Sequence, residues 1–180
     1  GPVSLAIGVF DGVHLGHQAV IGAALENAAH RGGEAVVVTF DPHPARVLRP
    51  EQSPKMLCSL AHKLAIMRSL GVCNALVCAF DDAFAKIEAR PFVESLAAAC
   101  DRLAFVSVGF AWRFGHRGAG DIHLLTDLGQ ENGFCVHGVP PVRMDGEVVS
   151  STLIRDAVSV ADFARASRFL GRAYAVAGVV

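Results

Sequence analysis

Residues 35–40, A-V-V-V-T-F, leave this chain few folds to choose from. Six residues rich in β-branched side chains, with no alternation of apolar and polar positions, make a strand that must be covered on both faces. Comparable runs recur at 4–8, 75–80, 103–109 and 134–136. Helical patterns lie between them. Residues 15–30 place Ala19, Val20, Ala23, Ala24 and Leu25 on one side and stop at Gly32-Gly33. Ser59 caps a helix through Leu70, Pro91 sits in the first turn of a helix through Ala99, and Asp121 starts a helix that Gly133 ends. Strand alternating with helix predicts an α/β fold: a Rossmann-like doubly wound parallel sheet with helices on both faces. A small C-terminal hairpin/helix appendage follows. Asp145-Gly146 is the hairpin turn, Ser150-Ser151-Thr152 offers caps for a helix through Ala157, and a last helix runs over 160–170 to Gly171. Residues 41–54 read as a loop and 173–180 as a further strand.

Composition narrows the class. With 180 residues, 52% hydrophobic and 18% charged, the chain builds one core without a disulfide or metal staple and is not disordered. No apolar run approaches the roughly 18 residues of a membrane span, so no membrane partner is expected. A balance of 16 basic to 17 acidic residues argues against nucleic acid. The basic residues are mostly arginine, with lysine only at Lys55, Lys63 and Lys86, which reads as codon habit. Five cysteines with no C-x-x-C pair predict reduced, mostly buried thiols in a cytoplasmic protein.

Four runs carry candidate chemistry. The sharpest, G-V-F-D-G-V-H-L-G-H over residues 8–17, joins a buried strand to a helix. Gly8, Gly12 and Gly16 permit positive φ and close backbone approach. The helix start offers unpaired N–H groups, and His14 and His17 fall on one side of its first turn, where imidazoles donate to phosphate oxygens. Helix cap plus solvated histidine is the bland alternative. A zinc site is poorly supported, because H-x-x-H here has no carboxylate or cysteine beside it, and no metal ligand is assigned. The second run, S-S-T-L-I-R, puts Ser151 and Thr152 at a helix start with Arg155 one turn in. Alone it is an ordinary cap with a surface arginine; its weight comes from the need for a second phosphate contact. In the third, residues 109–121, Trp112 and Phe114 are able to stack on a planar ring and Arg113 or Arg117 to meet phosphate, or the aromatics simply pack on the sheet. The fourth, Asp41-Pro42-His43-Pro44, is a stiff turn that either walls a pocket or is no more than a turn. Three of the four runs fall at strand carboxyl ends, which argues for one shared site.

These runs, in this order, resemble the FAD synthetase (FMN adenylyltransferase) module of bacterial bifunctional riboflavin kinase/FAD synthetases, within the nucleotidylyltransferase superfamily. The resemblance covers nearly the whole chain and divides it into a nucleotidylyltransferase domain over 1–172 and, over 173–180, a truncated lead-in to an absent riboflavin kinase domain. It implies an enzyme that transfers AMP from ATP to FMN, giving FAD and pyrophosphate, with Mg2+ accompanying ATP. His14, His17 and Arg155 are then catalytic. Gly8, Phe10, Asp11, Gly12, Gly16, Ser151 and Thr152 bind ATP. Asp41, Pro42, His43, Pro44, Trp112, Arg113 and Phe114 lie toward the flavin. One departure stands out: where that family carries Asp or Asn followed by Phe after the fourth strand, this chain has Ala111 and Trp112. The chemistry implied is direct in-line attack by an FMN phosphate oxygen on the α-phosphorus, which needs positioning and charge stabilisation rather than a strong base. Two alternatives remain: a flavin or adenine-nucleotide binding module with little turnover because of Ala111, and a nucleotidylyltransferase acting on a different phosphate substrate.

Overall fold

The structure, a computed structural model, describes residues 1–176. Five parallel strands, β1 (Val3–Ile7), β2 (Glu34–Asp41), β3 (Asn74–Ala79), β4 (Leu103–Gly109) and β5 (Cys135–Val139), form one sheet in the order β3-β2-β1-β4-β5. The period of two along each strand sorts side chains to opposite faces. Ala6 and Val37 face Val20, Ile21 and Ala24 of α1 (Leu15–Arg31) and Ile66 and Met67 of α3 (Leu60–Ser69). Leu5, Ile7 and Val38 face Phe92 and Val93 of α4 (Ala89–Ala98) and Leu125 and Leu128 of α5 (Ile122–Asn132). Each fully buried valine, leucine, isoleucine, phenylalanine or methionine among them contributes roughly 1.5–3 kcal/mol, which holds both helical layers to the sheet. The doubly wound sheet is therefore as expected from the unbroken apolar runs.

Caps act where the sequence placed them. Gly32 closes α1 at φ 60°, Ser59 accepts from the His62 amide to open α3, and Asp121 accepts from the amides of His123 and Leu124 to open α5. The hairpin β6 (Arg143–Met144) and β7 (Glu147–Val148) turns through Asp145 and Gly146, both at positive φ. It leads into α6 (Ser151–Ser159) and α7 (Phe163–Leu170), which pack Ile154, Ala157, Ala166, Phe169 and Leu170 into a third cluster with Leu57 and Val149. Gln18 ties this appendage to α1 by donating to Leu170 O at 2.8 Å.

Several boundaries differ. Residues 41–54 are not simply a loop: His43 caps a short helix, α2 (Pro44–Leu48), with Pro44 at its start, and a 3-10 turn covers Pro50–Gln52. β5 continues to Val139, with Gly138 packed so closely under α5 that a Cβ there would lie 3.2 Å from the Ile122 side chain. The last helix starts at Phe163, since Ala161 takes φ 59° and Asp162 makes the cap. Cysteines are less buried than expected: Cys73 and Cys135 are exposed at the two edge strands, and Cys58, Cys78 and Cys100 are half-buried. Of the strand expected over 173–180, residues 173–176 carry no regular structure and 177–180 lie outside the described residues. Among the described residues no helix is long and apolar enough to cross a membrane.

Candidate active site

The strand order reverses direction between β1 and β4, and a crevice opens beyond the carboxyl ends of such a pair. The β1–α1 loop fills that position. Phe10, Gly12 and Val13 take φ of 54°, 80° and 42°. For a phenylalanine and a valine this is a strained conformation, costing about 1–3 kcal/mol each, and it must be held from outside. Arg172 holds it: Nη2 donates to Gly12 O at 2.6 Å and Nη1 to Val13 O at 3.0 Å. Of the three glycines expected to supply positive φ, only Gly12 does so. Gly8 and Gly16 serve close approach instead, since a Cβ on Gly8 would lie 2.9 Å from the Phe10 ring and one on Gly16 3.1 Å from the His14 ring.

His14 and His17 are brought together as a stack, ring centroids 3.6 Å apart and 18° from parallel, with Phe10 set edge-on to His17. His14 is buried and is itself the cap of α1, its Nδ1 accepting from the His17 amide at 3.3 Å. Cap and phosphate ligand are thus not competing readings, because the neutral ring that accepts at Nδ1 carries its proton on Nε2. Burial is the main cause that pulls His14 down to about 4, opposed by Asp11 and helped by Arg155 and Arg172. Burial, then His14 and Lys63, hold His17 well below its ordinary value. Both rings are neutral donors at pH 7. His17 Nδ1 is shielded from solvent and has no hydrogen-bond partner among the described residues.

The far end of the chain closes on the same loop. Ser151 donates to Asp11 O at 2.9 Å across 140 residues, and Arg155 Nη2 donates to Asp11 Oδ2 at 2.6 Å. Arg155 Nε is bound to Lys55 O, and the Asp11 carboxylate also accepts from the Leu57 amide at 3.0 Å. Asp11, expected on the nucleotide side, is therefore the buried anchor that joins α6 to the histidine loop. Thr152 is exposed on the first turn of α6.

Three clefts surround this junction, and Val9 lines all of them. The histidine cleft, about 310 Å³, is bounded by Gly8, Phe10, His14, Gly16 and His17 on one side and Gly109, Ala111, Trp112, Val139 and Pro140 on the other. An aromatic cleft of about 580 Å³ is walled by Phe40, Phe80, Phe84, Phe92, Trp112 and Phe114. A polar cleft of about 530 Å³ is lined by Asp11, Asp41, His43, Arg46, Cys58, His62 and Lys63. The residues expected toward the flavin divide between the last two. Pro44, Trp112, Arg113 and Phe114 line the aromatic cleft; Asp41 and His43 line the polar one, while Pro42, after a cis peptide, lines neither. Phe114 is buried in the core and stacks under Trp112 at 4.8 Å, so the tryptophan is the more available ring of the pair. Arg113 faces Asp121 at 3.5 Å.

Lys63 and Arg172 were not picked out from the sequence. Both donate mainly to backbone carbonyls, which leave no mark in the letters; the scarcity of lysine was the one available sign.

A strand–loop–helix junction with paired neutral donors, at the switch point of a doubly wound sheet, is the kind of place where α/β proteins hold phosphate-bearing ligands. Residues 1–153 match the FAD synthetase family model, and the chain belongs to that family of nucleotidyltransferases. It is 37% identical over 174 residues to the bifunctional riboflavin kinase/FMN adenylyltransferase of Pseudomonas fluorescens, covering 97% of this chain and 56% of that protein. The protein of the same description from Escherichia coli K12 is 34% identical over 176 residues, covering 98% and 56%. A solved structure described as a macrolide-efflux protein from Streptococcus pneumoniae superposes with a TM-score of 0.81 at 26% identity, over 95% of this chain and 56% of that one. The chain thus spans a little over half the length of these relatives.

Proposed function

We propose that this chain is an FMN adenylyltransferase: it transfers AMP from ATP to FMN and releases pyrophosphate. The observation that carries the reading is the junction at Asp11, where Ser151 and Arg155 reach the loop that presents His14 and His17. The crevice geometry supports adenosine and the α-phosphate in the histidine cleft and the isoalloxazine ring in the aromatic cleft. His14, through Nε2–H, and His17 stabilise charge building on the α- and β-phosphates. Ser151, Thr152 and the α6 start, with Arg155, receive the departing pyrophosphate. An ionised FMN phosphate oxygen attacks in line, so no residue needs to take its proton.

Among the described residues no group of three or more His, Cys, Asp or Glu side chains converges on a metal position, and the Asp11 carboxylate is occupied by Arg155 and Leu57. Magnesium fits this donor set as part of the MgATP substrate rather than as a resident ion. We read residues 173–180 as the lead-in to a riboflavin kinase domain, because the relatives are bifunctional and extend beyond the matched segment.

Incubation with MgATP and FMN, followed by chromatography for FAD and assay of pyrophosphate, tests the reaction; FAD forming with equimolar pyrophosphate is the expected result, and none forming overturns it. Ala111 favours a second reading, a binding module, because its methyl group brings no polar atom to the histidine cleft. FMN and ATP binding without FAD formation would select that reading.

A further inference from the structure

One buried cation is left unused by the phosphate assignments. Lys63 on α3 is 6% exposed. Its ammonium donates to Val9 O at 3.0 Å, Thr39 Oγ1 at 3.0 Å and Phe40 O at 3.4 Å. None of these partners is a carboxylate. Thr39, fully buried, in turn donates to Val9 O at 3.0 Å. Burying an ammonium whose hydrogen-bond partners are all neutral is unfavourable, a cost that Asp41 and Asp11 nearby offset only in part, and a methionine would fill much the same space without it. Packing alone therefore does not call for a lysine. What the lysine adds is a link: Val9 follows β1 and borders all three clefts, and Phe40 near the end of β2 borders the polar and aromatic clefts. Lys63 holds the carbonyls of both.

We propose that Lys63 is a positioning residue for nucleotidyl transfer, clasping the carboxyl ends of β1 and β2 so that the wall between nucleotide and flavin stands where the two phosphates meet in line. This rests on the adenylyl-transfer reading. The clasp carries a charge as well as a shape. His17 is faced by His14 from its own loop and by Lys63 from α3, and both oppose its protonation. His14 in turn is faced by Asp11, by Arg155 from α6 and by Arg172 beyond α7.

The test compares wild type with Lys63→Met and Thr39→Val. Measured are kcat, the dissociation constants of FMN alone and MgATP alone, and histidine titration by NMR. Misplacing two reactants by about an ångström costs on the order of 100-fold. Lys63→Met is expected to lose roughly 10- to 100-fold in kcat, with each single-ligand affinity within about 3-fold of wild type. Its His17 should titrate at higher pH than in wild type. A kcat within about 2-fold of wild type, or a loss matched by equal weakening of each ligand alone, overturns the proposal. Should Lys63→Met not fold, Thr39→Val decides: it keeps the ammonium and removes the oxygen bridging the two strand ends. It is expected to lose roughly 3- to 10-fold in kcat, and an unchanged kcat overturns the clasp. A wild-type protein that makes no FAD defeats the reaction reading instead. The clasp is then judged by NMR, and identical His17 titration in wild type and Lys63→Met overturns it.

Discussion

His14 and His17 work as neutral groups. Burial keeps both uncharged at pH 7, so each offers a fixed N–H rather than a positive charge, and its strength comes from being shielded from water. Losing one such donor costs about 100- to 1000-fold. His17→Ala is accordingly expected to lower the rate of FAD formation by that factor, with its far-ultraviolet circular dichroism unchanged; full activity would remove the histidines from the mechanism. Ala111 makes the opposite prediction. An amide placed there would add a donor to the histidine cleft, and Ala111→Asn should raise turnover roughly 10-fold or more. Trp112, the sole tryptophan, borders both the histidine and aromatic clefts, so its emission should fall as FMN is titrated in. An unresponsive signal would move the flavin elsewhere.

At the scale of elements, the segment after β4 depends on contacts that leave no room for change. Gly115 sits at φ 73°, and a Cβ there would lie 2.6 Å from the backbone of Ala89 at the start of α4. Gly115→Ala must strain the backbone and push the two segments apart, a combination worth roughly 2–4 kcal/mol in urea denaturation. Its effect should also reach FMN affinity, because Gly115 lines the aromatic cleft. Elements of this kind were largely legible in the letters. The apolar run of β2, the Ser59 and Asp121 caps and the Asp145-Gly146 turn each have a local cause, and local causes survive folding. The site was legible in part. H-x-G-H marked the strand-to-helix loop where the two histidines meet, because its glycines and histidines have chemistry of their own. Positive φ at Phe10 and Val13 had no such signal, since neither residue favours it; Arg172 braces the Val13 carbonyl from 159 residues away. The division of the D-P-H-P residues between two clefts is likewise set by α2, a five-residue helix too short to announce itself.

For the molecule as a whole, the buried histidines set a pH limit. His14 titrates near 4 when folded and at 6.5 when not, so the unfolded chain binds the extra proton between those values. The stabilisation is complete above pH 6.5 and disappears as pH falls toward 4, amounting to about 3 kcal/mol in all. Urea unfolding at pH 7.5 and 5 should differ by about 2 kcal/mol from this group alone, His17 adding in the same direction; equal stability would contradict the buried neutral pair. The bond from Ser151 to Asp11 spans 140 residues and has a consequence for birth on the ribosome. The sheet and its flanking helices emerge first, yet the proposed nucleotide site waits for α6 and for Arg172, which bonds the carbonyls of Gly12 and Val13. On the proposed assignment, a nascent chain with β5 complete should already resist proteases while failing to retain ATP, so competence arrives abruptly, once residues 140–172 have left the tunnel.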